Sequence, residues 1–152
     1  MALPNVFTKE VADSLIARIN TLTPESKAQW GKMSVAQMLA HCNVTYEYVY
    51  EDKYAKPNIF MRFILKTLVK KTVISENPYQ HNGNTGPDFI IKNEPEFVAQ
   101  KNRLIGFITK TQELGASHFE GKESHSFGAL TATEWNNMFY KHLNHHLGQF
   151  GV

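Results

Sequence analysis

His142 and His146 stand four residues apart in the stretch from Thr131 to Gly148, TATEWNNMFYKHLNHHLG. On a helix that spacing puts both imidazoles on one face, about one turn apart, where they can grip a single metal ion. Farther up the same face come Phe139 and Trp135, so the histidines continue a stripe of core residues that could also wall a pocket. Two histidines make a poor site, and a third ligand has to come from another segment. His41 is the candidate, lying between Met38 and Thr45 in an apolar stretch, where an imidazole costs desolvation energy unless its nitrogens find partners. If the two helices are neighbours, three imidazoles leave a coordination position for water or substrate, as in a catalytic site.

The remaining histidines fit less well. His145 projects about 100° around the helix from His146, which suits a place behind the ligands or on the surface better than a fourth ligand. His118 and His125 fall in an irregular stretch, from which His125 could approach the open position. The rival reading of His142 and His146 is a pair of half-exposed side chains favoured by the dipole at a helix C-terminus. Other chemistries lack their residues. Leu143 follows His142, so there is no HExxH, and no Glu stands three residues before any histidine, so the ExxH pairs of di-iron bundles are missing. Cys42 adjoins His41 but points about 100° away, which gives a cysteine nucleophile little support. There is neither a P-loop nor a Gly-rich dinucleotide turn.

The elements that must position these residues read as helices. Thr8 is placed to cap a helix in which Val11, Leu15, Ile19 and Leu22 form one buried stripe, and Pro24 to Trp30 looks like a short further segment. Ser34-Val-Ala-Gln37 has the form of a capping box and opens a second helix running to about Tyr50. From 58 to about 74, IFMRFILKTLVKKTVI reads as an additional amphipathic helix with Arg62, Lys66 and Lys70 every fourth residue, its cations solvated and its body laid across the domain. Residues 75–92 form a long loop with Pro78, Gly83, Gly86 and Pro87, and Glu94-Pro95 starts a helix that Gly115 terminates. A second irregular stretch, 115–130, precedes a second capping box, Thr131 to Glu134, at the start of the last helix. With no convincing alternating strands, the fold class is all-α: a four-helix bundle with one additional helix and two long loops.

The chain of 152 residues, 42% of them hydrophobic, fits one domain over 1–152, which buries about two-thirds of its unfolded surface and does not need metal as a staple. Sixteen basic against fourteen acidic residues give a net charge of +2 and no electrostatic footprint for nucleic acid. Cys42 stands alone, so an intramolecular disulfide is excluded. No stretch approaches the roughly twenty apolar residues of a bilayer span, and MALPNVFTKEVADS has no signal-peptide core. A cytoplasmic location, with no membrane partner, is the resulting expectation.

Trp30, the run Ser34-Val-Ala-Gln-Met-Leu-Ala-His41, and His142-Leu-Asn-His145-His146-Leu-Gly-Gln149 together resemble the DinB/YfiT-like family, in particular a branch with a C-terminal HxxHH-L-x-QFG pattern. The resemblance implies a DinB-like four-helix bundle holding a divalent metal on His41, His142 and His146, with His145 and Gln149 at positions next to the ligands. Leu147 stands where that family often has arginine, and Ser126 where the branch usually has proline after the histidine. Relatives include S-transferases and an isomerase that use low-molecular-weight thiols, so the resemblance implies metal-dependent thiol transfer on a small-molecule substrate, with hydrolysis as the alternative on the same site. All-nitrogen ligation suits zinc or nickel. The competing function is a non-catalytic helical module that binds a partner subunit or a membrane surface through helix 58–74. A homodimer is the default among oligomeric states.

Overall fold

The computed structural model describes residues 2–152, and it is mostly helical. Helix α1 spans Lys9–Thr21, α2 Val35–Tyr50, α3 Ile59–Ile64, α4 Lys70–Ile74, α5 Phe97–Phe119 and α6 Ala132–Gln149. A π-helical turn, Leu65–Val69, joins α3 to α4, and Pro87–Phe89 forms a 3₁₀ turn. Helices α1, α2, α5 and α6 pack together around one core, with α2 most extensively against α5. Among the described residues no helix is long and apolar enough to cross a membrane.

Both capping boxes form. Gln37 N–H donates to Ser34 Oγ and Ser34 N–H to the Gln37 side chain, and the same reciprocal pair joins Thr131 and Glu134, fixing where the two histidine-bearing helices begin. Helix α1 buries Ala12, Leu15 and Ile19, with Leu22 closing its stripe. Thr8 stands at its N-cap, but the hydroxyl donates to the Asn5 carbonyl instead of accepting from the helix. The core beneath the site is aromatic. Trp135 stacks on Phe139 (ring centroids 5.5 Å), Phe139 on Tyr46 (5.0 Å), and Phe119 meets Trp135 (5.5 Å) and Phe7 (5.2 Å).

Four expectations need correction. Pro24 to Trp30 forms turns only, because Ser26 closes a tight loop with Thr23 through both its amide and its hydroxyl. The helix expected from Glu94-Pro95 starts at Phe97, where the Glu96 carboxylate accepts from the amides of Val98 and Ala99. Gly115 does break it, at φ 73°, but one further turn carries the chain to Phe119. Residues 115–130, read as irregular, contain an antiparallel hairpin of β1, Lys122–Ser124, and β2, Gly128–Leu130. Three-residue strands are too short to show an alternating pattern.

The fourth correction concerns 58–74. The segment is helical, but as α3, a π turn and α4, and it buries no residue. Its polarity is the reverse of the expected one. Arg62 bonds Glu123 of the hairpin, Lys70 reaches Glu134 of α6 at 3.1 Å, and the Lys66 ammonium lies beside Gly128 of the hairpin, so all three stripe cations face the body of the protein. Ile59 is 89% exposed, Phe60 71%, Phe63 66% and Leu68 74%.

Replacing Phe139 with Ala is expected to cost about 3–5 kcal/mol, because it empties the centre of the aromatic stack. Phe60→Ala is expected to change stability by no more than about 0.5 kcal/mol. Urea unfolding of the two variants checks this contrast.

Candidate metal centre

Helix α2 is buried nearly all round, so His41 enters the interior from it at 5% exposure. His142 and His146 come from the facing side of α6. His41 Nε2 lies 3.0 Å from His142 Nε2, and the centroid of the His146 ring is 4.5 Å from that of His41 and 4.8 Å from that of His142. One nitrogen from each ring falls within 4.8 Å of the others, and among the described residues this is the group of histidine, cysteine or carboxylate side chains able to share one ion.

The outward nitrogens determine what the inward ones can do. His41 Nδ1 lies 2.9 Å from the Phe89 carbonyl oxygen, which can only accept, so His41 carries its proton on Nδ1 and its Nε2 is a bare lone pair. His146 Nδ1 lies 2.8 Å from Gln149 Oε1. The Gln149 amide cannot be turned over, because its Nε2 donates to the Trp30 carbonyl at 2.7 Å; His146 is therefore also protonated on Nδ1 with Nε2 bare. His142 Nδ1 meets Thr45 Oγ1 at 3.0 Å. A hydroxyl can donate or accept, so Thr45 supports His142 in either tautomer. With the proton on Nε2, His142 donates to His41; with the proton on Nδ1, all three inward nitrogens are free to ligate.

Two further residues hold this arrangement. Gly31 has φ +83°, and a Cβ there would stand 2.5 Å from Gln149 Nε2, so the close approach of Gln149 to the Trp30 carbonyl requires glycine. The segment 87–94 is fastened along one side of α2. Tyr48 donates to Asp88 at 2.7 Å, Gln37 to the Ile91 and Asn93 carbonyls, and Ser34 to Glu94 at 2.7 Å. The Phe89 ring thereby lies edge-on to His41, His142 and Tyr48. The long loop is the cover of the site.

Burial, with mutual repulsion between the rings, keeps these histidines neutral. His142 is held well below its ordinary value by burial first and then by His146 and His41. His146 is lowered to about 3, again chiefly by burial and then by His41, against the opposing bond to Gln149. His41 is lowered by burial, opposed by the Phe89 carbonyl. Neutral imidazole is the form that binds metal.

Of the other sequence candidates, Gln149 bonds His146, and His145 packs edge-on against the same ring at 5.0 Å, while none joins the three as a ligand. His145 lies at the rim, near His81, Tyr79 and Trp30, and Trp30 is itself stacked on His81 at 3.8 Å. His125 is stacked on Tyr48 at 4.0 Å, and Tyr48 meets Phe89 edge-on at 5.4 Å. Trp135 and Phe139 belong to the core and not to a pocket wall. Burial pushes the Cys42 thiol up, which removes it as a nucleophile. Thr45, Gly31 and the carbonyls of Phe89 and Trp30 were not read from the sequence. Thr45 alone left a signal, one turn after His41 on the same face.

Fold and site together define a mostly helical protein with three converging histidines, two buried and His142 half-buried, suited to a metal ion. Residues 6–151 match the family model described as "Protein of unknown function (DUF1569)", and the chain belongs to that family. No curated protein matches the chain, and no solved structure does.

The depressed pKa values make stability fall with acid. The unfolded chain takes up protons near pH 6.5 that the folded protein refuses, so the stability contributed by the neutral rings is full above that pH and is lost as the pH falls toward about 3, the folded value of His146. The slope is about 1.4 kcal/mol per pH unit for each histidine that stays neutral. In metal-free protein the urea midpoint is expected to drop from pH 6.5 to pH 5, and His142→Gln to flatten that drop. A midpoint independent of pH would show that the rings are not buried as neutral groups.

Proposed function

We propose that the protein is a metal-dependent enzyme of the DinB/YfiT-like kind, a four-helix bundle of α1, α2, α5 and α6 that holds one divalent ion on His41, His142 and His146. The observation that carries this reading is the orientation of the rings. His41 and His146 each have the outward nitrogen committed to an acceptor-only oxygen, and the inward nitrogens converge with no other side chain to receive them. A cluster kept only for packing has no need of three separate tethers, each drawn from a different segment.

The donor set fits zinc or nickel, since all three ligating atoms are imidazole nitrogens. An ion held this way acts as a Lewis acid and lowers the pKa of a water or thiol placed at the remaining position. Gln149 and the Phe89 carbonyl orient two of the rings and raise their basicity, and Thr45 lets His142 shift its proton between nitrogens without moving. The Phe89 ring packs edge-on against His41 and His142 and narrows access to them. No carboxylate joins the ligands, so the ion keeps its full charge and favours an anionic group such as a thiolate. Hydroxide meets that condition as well, so it is the resemblance to the DinB/YfiT-like family that favours thiol-dependent S-transfer on a small molecule, with hydrolysis second.

Elemental analysis of protein prepared without a polyhistidine tag is expected to find about one divalent ion per chain. His142→Ala should carry almost none; stoichiometric metal in that variant would overturn the assignment. Gln149→Ala should retain the ligands but bind metal roughly 10–100-fold more weakly in competition with a chelator.

A further inference from the structure

The arm formed by α3, the π turn and α4 is attached to the body through polar groups. Besides Arg62 with Glu123 and Lys70 with Glu134, Lys141 donates to the Thr72 and Ser75 carbonyls, each at 2.6 Å, and Asn137 donates to the Ile74 carbonyl at 2.9 Å. Ile74 packs against the core, and the larger apolar side chains nearer the start of the arm are left on the outside. Ile59 and Phe63 are four residues apart and share a face, but in a regular α-helix Leu68 would lie about 140° round from Phe63. The π turn over Leu65–Val69 reduces that offset, since its coil is wider than that of an α-helix and turns less per residue. The result is one exposed apolar ridge of Ile59, Phe60, Phe63 and Leu68, whereas Ile90 and Val98 are isolated exposures.

The charge around the ridge selects what covers it. From 53 to 75 the chain carries Lys53, Lys56, Arg62, Lys66, Lys70 and Lys71 and no acidic residue. Lys53, Arg62 and Lys70 are paired with Glu47, Glu123 and Glu134, while Lys56, Lys66 and Lys71 form no ion pair among the described residues. A second copy of the chain would bring the same unpaired lysines to the interface, with no carboxylate on the arm to meet them. We propose that this arm seats the protein peripherally on an anionic lipid surface, with Ile59, Phe60, Phe63 and Leu68 entering the headgroup region and Lys56 and Lys71 meeting lipid phosphates. It is a separate property from the chemistry of the histidines.

Flotation with phosphatidylcholine vesicles, with and without phosphatidylglycerol, tests this. Full-length protein is expected to float with the phosphatidylglycerol vesicles at low salt, and to be left behind by phosphatidylcholine alone or by high salt. The double variant Phe60→Ser, Phe63→Ser should lose binding by about tenfold or more, with unchanged melting and metal content. Changing Lys56 and Lys71 together to Gln should lower the salt concentration at which the protein is released. Absence of flotation, or equal flotation of the Ser variant, would overturn the proposal. So would a dimer in sedimentation that the Ser variant abolishes, because a second copy would then be the cover.

Discussion

The arrangement of the interior depends on a requirement of imidazole: a neutral ring has one donor and one acceptor, and burial makes leaving either unmatched expensive. His41 and His146 meet it by donating outward, to the Phe89 carbonyl and to Gln149, which forces both acceptors inward. Two bare nitrogens facing each other repel. The metal-free protein relieves this only for the pair 3.0 Å apart, by placing a proton on His142 Nε2, and His146 is left facing them. A cation removes the conflict for all three at once, so the tethers that hold the site open also make it want an ion.

The same requirement governs α2. A helix buried almost all round carries polar side chains that need partners, and it finds them on neighbouring elements, with only Asn43 Oδ1 left unmatched among its described residues. His41 reaches the loop, Thr45 reaches α6, Asn43 reaches Gln100 of α5, and Glu47 receives Arg103, Lys53 and Tyr54. Apolar packing alone would tolerate small rotations of α2. These contacts fix its rotation, and with it the direction from which His41 enters the site.

What the sequence made legible is what local chemistry decides. Ser34 with Gln37, Thr131 with Glu134, and the spacing of His142 and His146 each need only a few consecutive residues, and each reading matches the structure. His41 was found because an imidazole in an apolar run demands an explanation. The parts missed depend on contacts across long sequence distances. Nothing near Phe89 signals that its carbonyl will meet a ring forty-eight residues earlier. Gly31 looks like an ordinary helix break until Gln149 is seen packed against it. The polarity of the arm was inverted because periodicity reports that two faces differ, and not which one meets the body; Glu123 and Glu134 decided that, and neither is near in sequence.

Helix α6 carries both the site and the attachment of the arm, on separate stripes. Glu134, Asn137 and Lys141 recur at spacings of three and four and hold the arm. Trp135, Phe139, Leu143 and Leu147 recur every fourth residue and fill the core, while His142, His146 and Gln149 serve the site. Lys141 is the junction: burial lowers it to about 8, and its ammonium, next in sequence to His142, is satisfied by the backbone at the end of α4 and lies over the Tyr79 ring. Tyr79 in turn meets His142 and His145 edge-on. The loop that begins where α4 ends carries both Tyr79 and Phe89 to the histidines, so the end of the arm and the cover of the site are one continuous piece of chain.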